Sequence, residues 1–310
     1  MNAASRVKNE PDGRDHPGSN SGFLLGLAAY TLWGVLPLYF KAVAAVPAID
    51  IVAHRILWSL PFLALLIVIG KGWPRVRSAI ADRRTLAMLS LTALLIGGNW
   101  LLYTYAVTSG HILAASFGYY LNPLANVLLG RFVLKEQLTG RQWMAVAIAG
   151  AGISVLAAGA LGQLWISLTL CVSFALYGLL RKVVRADAMS GLAIETALLF
   201  PLALAWLGWR TADGVPAFGS TQMQTGLLLL AGVVSTTPLL LFTAAARKLA
   251  YSTLGMLQFI APTLQFIIAV AVYGEPLTRA HAIAFAAIWT ALALYVSVLV
   301  SAPRLPQPPE

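Results

Sequence analysis

Residues 97–139 read GGNWLLYTYAVTSGHILAASFGYYLNPLANVLLGRFVLKEQLT, and residues 236–278 read TTPLLLFTAAARKLAYSTLGMLQFIAPTLQFIIAVAVYGEPLT. Laid over one another without a gap, at an offset of 139, they match Thr104 with Thr243, Ala106 with Ala245 and Pro123 with Pro262. Glu136, Leu138 and Thr139 meet Glu275, Leu277 and Thr278 in the same register. Asn126 falls on Gln265, and Tyr103 and Tyr120 each fall on a phenylalanine. Upstream the offset drifts to 144, where Trp33-Gly34 meets Tyr177-Gly178. The chain reads as two copies of one unit.

Composition places both copies in a bilayer. Apolar residues make up 59% and charged residues 10%, against roughly 45–50% and 25% in a soluble domain. The 310 residues hold about ten spans of roughly 20 residues with short loops. Helices are expected at 22–44, 51–70, 84–107, 112–134, 142–159, 162–180, 190–209, 223–246, 252–273 and 280–301. Turn residues such as Ala48-Ile49-Asp50 and Ser109-Gly110 separate them, so neighbours run antiparallel. The net charge of +10 sits in loops between apolar stretches, which argues against a nucleic-acid-binding face. Cys171 stands alone in an apolar segment and supports neither a disulfide nor a metal cluster. No cofactor motif or P-loop is present in the sequence.

Charge then sets orientation. With the N-terminus inside, seventeen of the 21 Lys and Arg residues fall on the cytoplasmic side, and only Lys41, Arg55, Arg210 and Arg279 fall outside. Both termini are therefore expected in the cytoplasm. Ten spans leave five per copy, an odd number, so the second copy is inserted upside down. The expected fold class is an all-α membrane protein of ten transmembrane helices in two inverted five-helix repeats, 22–159 and 160–301. Residues 1–21 and 302–310 are expected to be cytoplasmic tails. Inverted repeats of this kind characterise secondary transporters, with the substrate site between the halves.

Polar side chains in a span are costly unless they face protein or water. Span four carries Tyr119, Asn122, Pro123 and Asn126; its mate, span nine, carries Gln258, Pro262 and Gln265. Each proline removes a backbone donor, and exposed backbone at membrane depth is tolerated where it lines a cavity or is packed in protein. Two readings stand: a lined cavity with Pro123 and Pro262 as hinges, or structural kinks with the amides as glue between helices. Asn99 and Tyr103 share a face of span three, and Trp33 lies mid-span in span one. His54 and Arg55, one turn into span two, could meet an anion or relay a proton, or Arg55 could snorkel to the surface. Glu195 either pairs with Arg181 or Lys182 or serves as a proton-coupling carboxylate. Glu136 and Glu275 close spans four and nine, where each could bond the start of the next helix. Spans five and ten are small-residue helices, expected as peripheral packing or a homodimer face.

The segments AAYTLWGVLPLYFK, IGGNWLLYTYAV, SFGYYLNPLANVLLG, LKEQLTGRQW and STLGMLQFIAPTLQF, followed by YGEPL, resemble the EamA group of the drug/metabolite transporter superfamily, and within it the RarD branch. The resemblance covers about residues 22–300. It implies a multi-pass permease of the cell inner membrane with a central cavity between the repeats. Carried over by position, the cavity residues are Trp33, Asn99, Tyr103, Tyr119, Asn122, Tyr177, Gln258 and Gln265. The function expected is alternating-access transport of small metabolites or drugs, with proton-coupled export as one form. The alternative is a membrane receptor or assembly factor that binds a small solute without moving it. An enzyme is disfavoured by four scattered histidines and no clustered acids. The expected partners are a small-molecule substrate and the lipid bilayer.

Overall fold

The structure, a computed structural model, describes residues 20–108, 111–157, 164–214, 218–219, 221–272 and 279–301. Among these the secondary structure is all helical. The helices are α1 (Asn20–Ala42), α2 (Ala48–Ile69), α3 (Trp73–Ala81), α4 (Arg83–Thr108), α5 (Ile112–Phe132) and α6 (Gly140–Ala157). There follow α7 (Leu164–Val183), α8 (Ala188–Ala212), α9 (Gln222–Lys248), α10 (Tyr251–Leu257), α11 (Ile260–Ala271) and α12 (Arg279–Ser301). Among the described residues, seven stretches are long and apolar enough to cross a bilayer: α1, α2, most of α4, α7, α8, α9, and Tyr251–Ile268 across α10 and α11. The protein is a multi-pass membrane protein.

Helix starts follow local chemistry. Asp82 accepts from the Arg84 N–H and the Thr85 hydroxyl at the head of α4. Thr139 and Gln142 form a reciprocal capping box at α6: the Thr139 N–H donates to Gln142 Oε1 at 2.8 Å, and the Gln142 N–H donates to Thr139 Oγ1 at 3.3 Å. Asp187 caps α8 through Met189 N and Ser190 N. Burial pushes the Asp187 carboxyl up, but hydrogen bonds from the Ser190 hydroxyl and N–H, the charge of Arg75 and the Met189 N–H together outweigh it and leave the group below its ordinary value. Its stabilising share is present above the unfolded Asp pKa and is lost as pH falls through the lowered folded value.

Two elements differ from the sequence expectation. The basic stretch 71–83, expected to be a connection between spans, holds α3, which buries Val76 and Ala79 against α4 and α8 and leaves Trp73 exposed. At nine residues it is too short to span. The expected ninth span is two helices, broken at Gln258-Phe259. Pro262 has no N–H to give the Gln258 carbonyl, and the Ala261 N–H takes that carbonyl at 3.2 Å in a tighter turn. Pro123, at the matching place, lies inside an unbroken α5.

The packing pairs are α1 with α9 and α11, α2 with α8 and α9, α4 with α7 and α8, α5 with α7 and α10, and α6 with α12. The α6–α12 pair forms its own cluster with α5 and α10, including Ala145, Ala149, Ile153, Ile288 and Tyr295. At one end of the bundle, the N-terminal end, the start of α1 meets the end of α9 at Gly22 and Leu249, and the end of α2 meets the start of α8 at Gly70 and Met189. At the opposite end, Arg210 and Trp206 of α8 both hold Asp50 of α2, each at 2.9 Å, and the Tyr39 hydroxyl of α1 donates to Leu227 O of α9.

The α2–α9 seam has no room for a side chain at Gly232. A β-carbon there would lie 2.2 Å from the Trp58 carbonyl carbon and 2.5 Å from Ser59 N. Backbone cannot swing aside as a side-chain tip can, so Gly232→Ala must part the two helices. We expect it to lower stability by about 1–3 kcal/mol, in the range of overpacked cores. Gly226→Ala on the same helix meets nothing within 4 Å and serves as the control. Thermal unfolding of the two variants in detergent should separate them clearly.

Candidate functional site

A cavity of about 230 Å³ lies from mid-bundle toward the opposite end. Trp33, Leu36 and Phe40 of α1 line it with Arg55 of α2 and Asn99, Trp100 and Tyr103 of α4. Tyr119 and Tyr120 of α5, Phe174 of α7 and Ser235 and Leu239 of α9 continue the wall. Gln258, at the α10–α11 break, and Ala261, Pro262 and Gln265 of α11 close it.

The polar groups are held in place. The Asn99 amide donates to Leu170 O at 3.0 Å and to Ser173 Oγ at 2.9 Å, and its oxygen accepts from the Tyr119 hydroxyl at 3.2 Å. The Tyr119 ring meets Tyr103 edge-on, with centroids 5.6 Å apart. The Asn126 amide donates to Gln258 Oε1 at 2.8 Å, and the Gln265 amide donates to Trp33 O at 3.1 Å. Arg55 Nε donates to Ser235 Oγ at 2.6 Å, and the guanidinium lies 4.6 Å from the centre of the Trp100 ring.

The floor of the cavity is aromatic. Trp33 packs against Tyr30, Phe174 and Phe242 with centroids 5.5 to 5.9 Å apart, and Tyr177 stacks on Phe242 beneath them. Below the floor, toward the N-terminal end, buried polar groups tie helices together. Glu195 accepts from Thr92 at 2.5 Å and Tyr177 at 3.3 Å, and Arg181 Nε stands 3.6 Å from the carboxylate. Arg181 also donates to Ala188 O, Arg247 to Val184 O and Ala186 O, and Lys182 to Ala246 O and Leu249 O. The Glu136 carboxylate accepts from Tyr251 N, Ser252 N and the Ser252 hydroxyl, and so caps α10. Tyr251 in turn donates to Ala175 O at 2.7 Å.

Of the residues expected at the cavity, Trp33, Asn99, Tyr103, Tyr119, Gln258 and Gln265 line it, and Asn122 and Tyr177 do not. Asn122 lies a turn closer to the N-terminal end on α5, where α10 comes so near that a β-carbon on Gly255 would sit 2.8 Å from Pro123 O. It is fully buried, and neither end of its amide has a hydrogen-bond partner. Tyr177 is part of the floor, one turn below Phe174. His54 is buried with its ring 5.4 Å from Phe218 and does not line the cavity; Arg55 beside it does. Glu195 pairs with Arg181 and not with Lys182. Glu136 bonds the start of α10, not of α6, the helix that follows it; Glu275 lies outside the described residues. Sequence reasoning passed over Phe174 and Ser235. The 144-residue offset carried a signal for the first, because it places Phe174 on Tyr30.

The EamA-like transporter family matches residues 20–158. An uncharacterized transporter of Vibrio cholerae is 45% identical over 92% of this chain and 94% of its own length. Protein RarD of Escherichia coli is 43% identical over 90% of this chain and 94% of its own. A chloramphenicol-sensitive protein RarD of Pseudomonas aeruginosa is 35% identical over 89% and 93%. A solved crystal structure superposes with a TM-score of 0.66, covering 91% of this chain and 99% of the other at 18% identity, a likeness of fold alone.

Proposed function

Because the chain belongs to the RarD group of the EamA-like transporter family, we propose that it is a secondary transporter of small metabolites in the cell inner membrane. Transport proceeds by alternating access between two inverted five-helix repeats, 22–159 and 160–301. The observation that carries this reading is the contrast along the bundle axis: an aromatic-walled cavity holding Arg55, Asn99, Gln258 and Gln265 in one half, and an aromatic floor with a buried polar network in the other.

The helix contacts support the repeats. Exchanging α1 with α7, α2 with α8, α4 with α9, α5 with α10–α11 and α6 with α12 turns each principal packing pair into itself or another of those pairs. Thus α1–α9 becomes α7–α4, and α2–α9 becomes α8–α4. Under the Lys and Arg bias the N-terminal end is cytoplasmic, and the state described is closed there. Glu136, Arg181, Lys182, Glu195 and Arg247 form that closure.

The proline helices supply the moving part. In this state α10–α11 is broken and α5 is continuous. Inverted repeats reach the opposite state when the halves trade conformations, so the inward-open form breaks α5 at Tyr119–Pro123 and straightens α10–α11. Pro123 and Pro262 are then hinges used in alternate states. Purified protein in proteoliposomes tests the transport reading: some solute from a broad metabolite panel should be accumulated by counterflow. A panel that gives binding without counterflow would favour a receptor.

A further inference from the structure

We infer that the cavity selects a metabolite-sized solute with a single anionic head and a flat apolar body, in preference to zwitterions and cations. The inference rests on the transport reading for its biological meaning, but the binding preference stands on the geometry. Arg55 is the one charged side chain that lines the cavity among the described residues. The described carboxylates lie elsewhere: Asp50 is held by Arg210, Glu195 by Arg181, and Glu136 caps α10. Asp82, Asp187 and Asp213 flank helices outside the cavity. The site therefore offers a positive charge with no counter-ion among the described residues.

The way Arg55 is held leaves its outer edge for a ligand. Ser235 fixes Nε and Trp100 covers one face; the terminal amino groups make no hydrogen bond among the described residues. That edge suits a carboxylate or sulfonate, which can accept two parallel hydrogen bonds. Aromatic rings from Trp33, Trp100, Tyr103, Tyr119 and Phe174 form the rest of the wall, a surface for stacking an apolar body. An ammonium group would find no carboxylate among the described lining residues to pair with. It would lose its water beside an uncompensated guanidinium. The volume of about 230 Å³ falls below the roughly 300–1,000 Å³ of drug-sized sites, which limits the solute to about one ring and a short chain.

Three probes with one ring and different charge test this on the purified full-length chain: 3-phenylpropionate, phenylalanine and phenethylamine. Isothermal titration in detergent should rank them in that order, with phenylpropionate bound about tenfold or more tightly than phenylalanine. Arg55→Gln should weaken phenylpropionate by about tenfold or more and flatten the ranking, while Arg55→Lys keeps the order with reduced affinity. Size-exclusion profiles matching the parent protein show that both variants fold. The inference is overturned if phenylalanine or phenethylamine binds as well as phenylpropionate, if no probe binds, or if Arg55→Gln leaves the ranking intact. Its failure is separable from that of the transport reading. Counterflow of a zwitterion or cation sinks the charge preference and keeps transport, whereas phenylpropionate bound but never counterflowed does the reverse.

Discussion

Glu195→Ala is expected to be among the most damaging single substitutions in the chain. Arg181 is 0% and Glu195 1% exposed, and the carboxylate is the one counter-charge within 4 Å of that guanidinium among the described residues. Removing it strands a buried cation, and breaking a buried pair from one side costs about 3–5 kcal/mol. The same change frees Thr92 and Tyr177 from their acceptor. Gly191 shows how tightly the guanidinium is enclosed: a β-carbon there would lie 1.9 Å from Arg181 Nη1, so the arginine has little space in which to find another partner. The measurement is thermal unfolding in detergent. The double substitution Glu195→Leu with Arg181→Met should recover most of the loss, because replacing both charges by apolar groups of similar volume removes the desolvation cost along with the attraction. If Glu195→Ala melts with the parent protein, or if the double variant is worse than the single one, the pair does not hold the N-terminal end as proposed. With folding recovered, a fall in transport by the double variant would show that the pair is also part of the closure.

The sequence showed the fold more clearly than it showed the site, for physical reasons. Apolar runs with short polar breaks are long-range signals, visible over 20 residues at a time, and the helices of the structure lie close to those expected. Helix α3 escaped because nine residues are too few for an apolar run of span length, and Arg75 and Arg77 were read as loop charge where they lie on the exposed face of a short amphipathic helix. Tyr119 and Gln258, at matched positions of the repeat, both line the cavity, whereas Asn126, the mate of the lining Gln265, does not. Asn122 was misplaced because helical spacing fixes a face but not a depth. It shares a face with Asn126, yet the close approach of α10 at Gly255 shuts that depth off from the cavity. The partners of Glu136 could not be read locally either. The residue it caps, Ser252, is 116 positions away, and nothing in the sequence near Glu136 distinguishes α10 from the following helix.

Asn122 also gives the test of the moving part. Asn122→Val is expected to raise the thermal stability of the purified protein and to slow transport. In the state described, both ends of its amide are buried without a hydrogen-bond partner, which costs about 1–3 kcal/mol relative to an apolar side chain that fits. Valine is close to asparagine in volume, so the change removes that cost with little disturbance of packing. Under the exchange of hinges, α5 breaks beside Asn122 in the other state, and the carbonyls released there by Pro123 are within the amide's local reach. Asparagine then stabilises the other state and valine does not. Both effects push the equilibrium toward the closed N-terminal end, and each 1.4 kcal/mol is about tenfold in population. Transport should therefore fall by about tenfold or more while the melting temperature rises, a pairing that simple damage to the fold does not produce. A variant that loses stability, or one that transports at the parental rate, would show that α5 does not change shape at Asn122, and Pro123 would then be a packed kink and not a hinge.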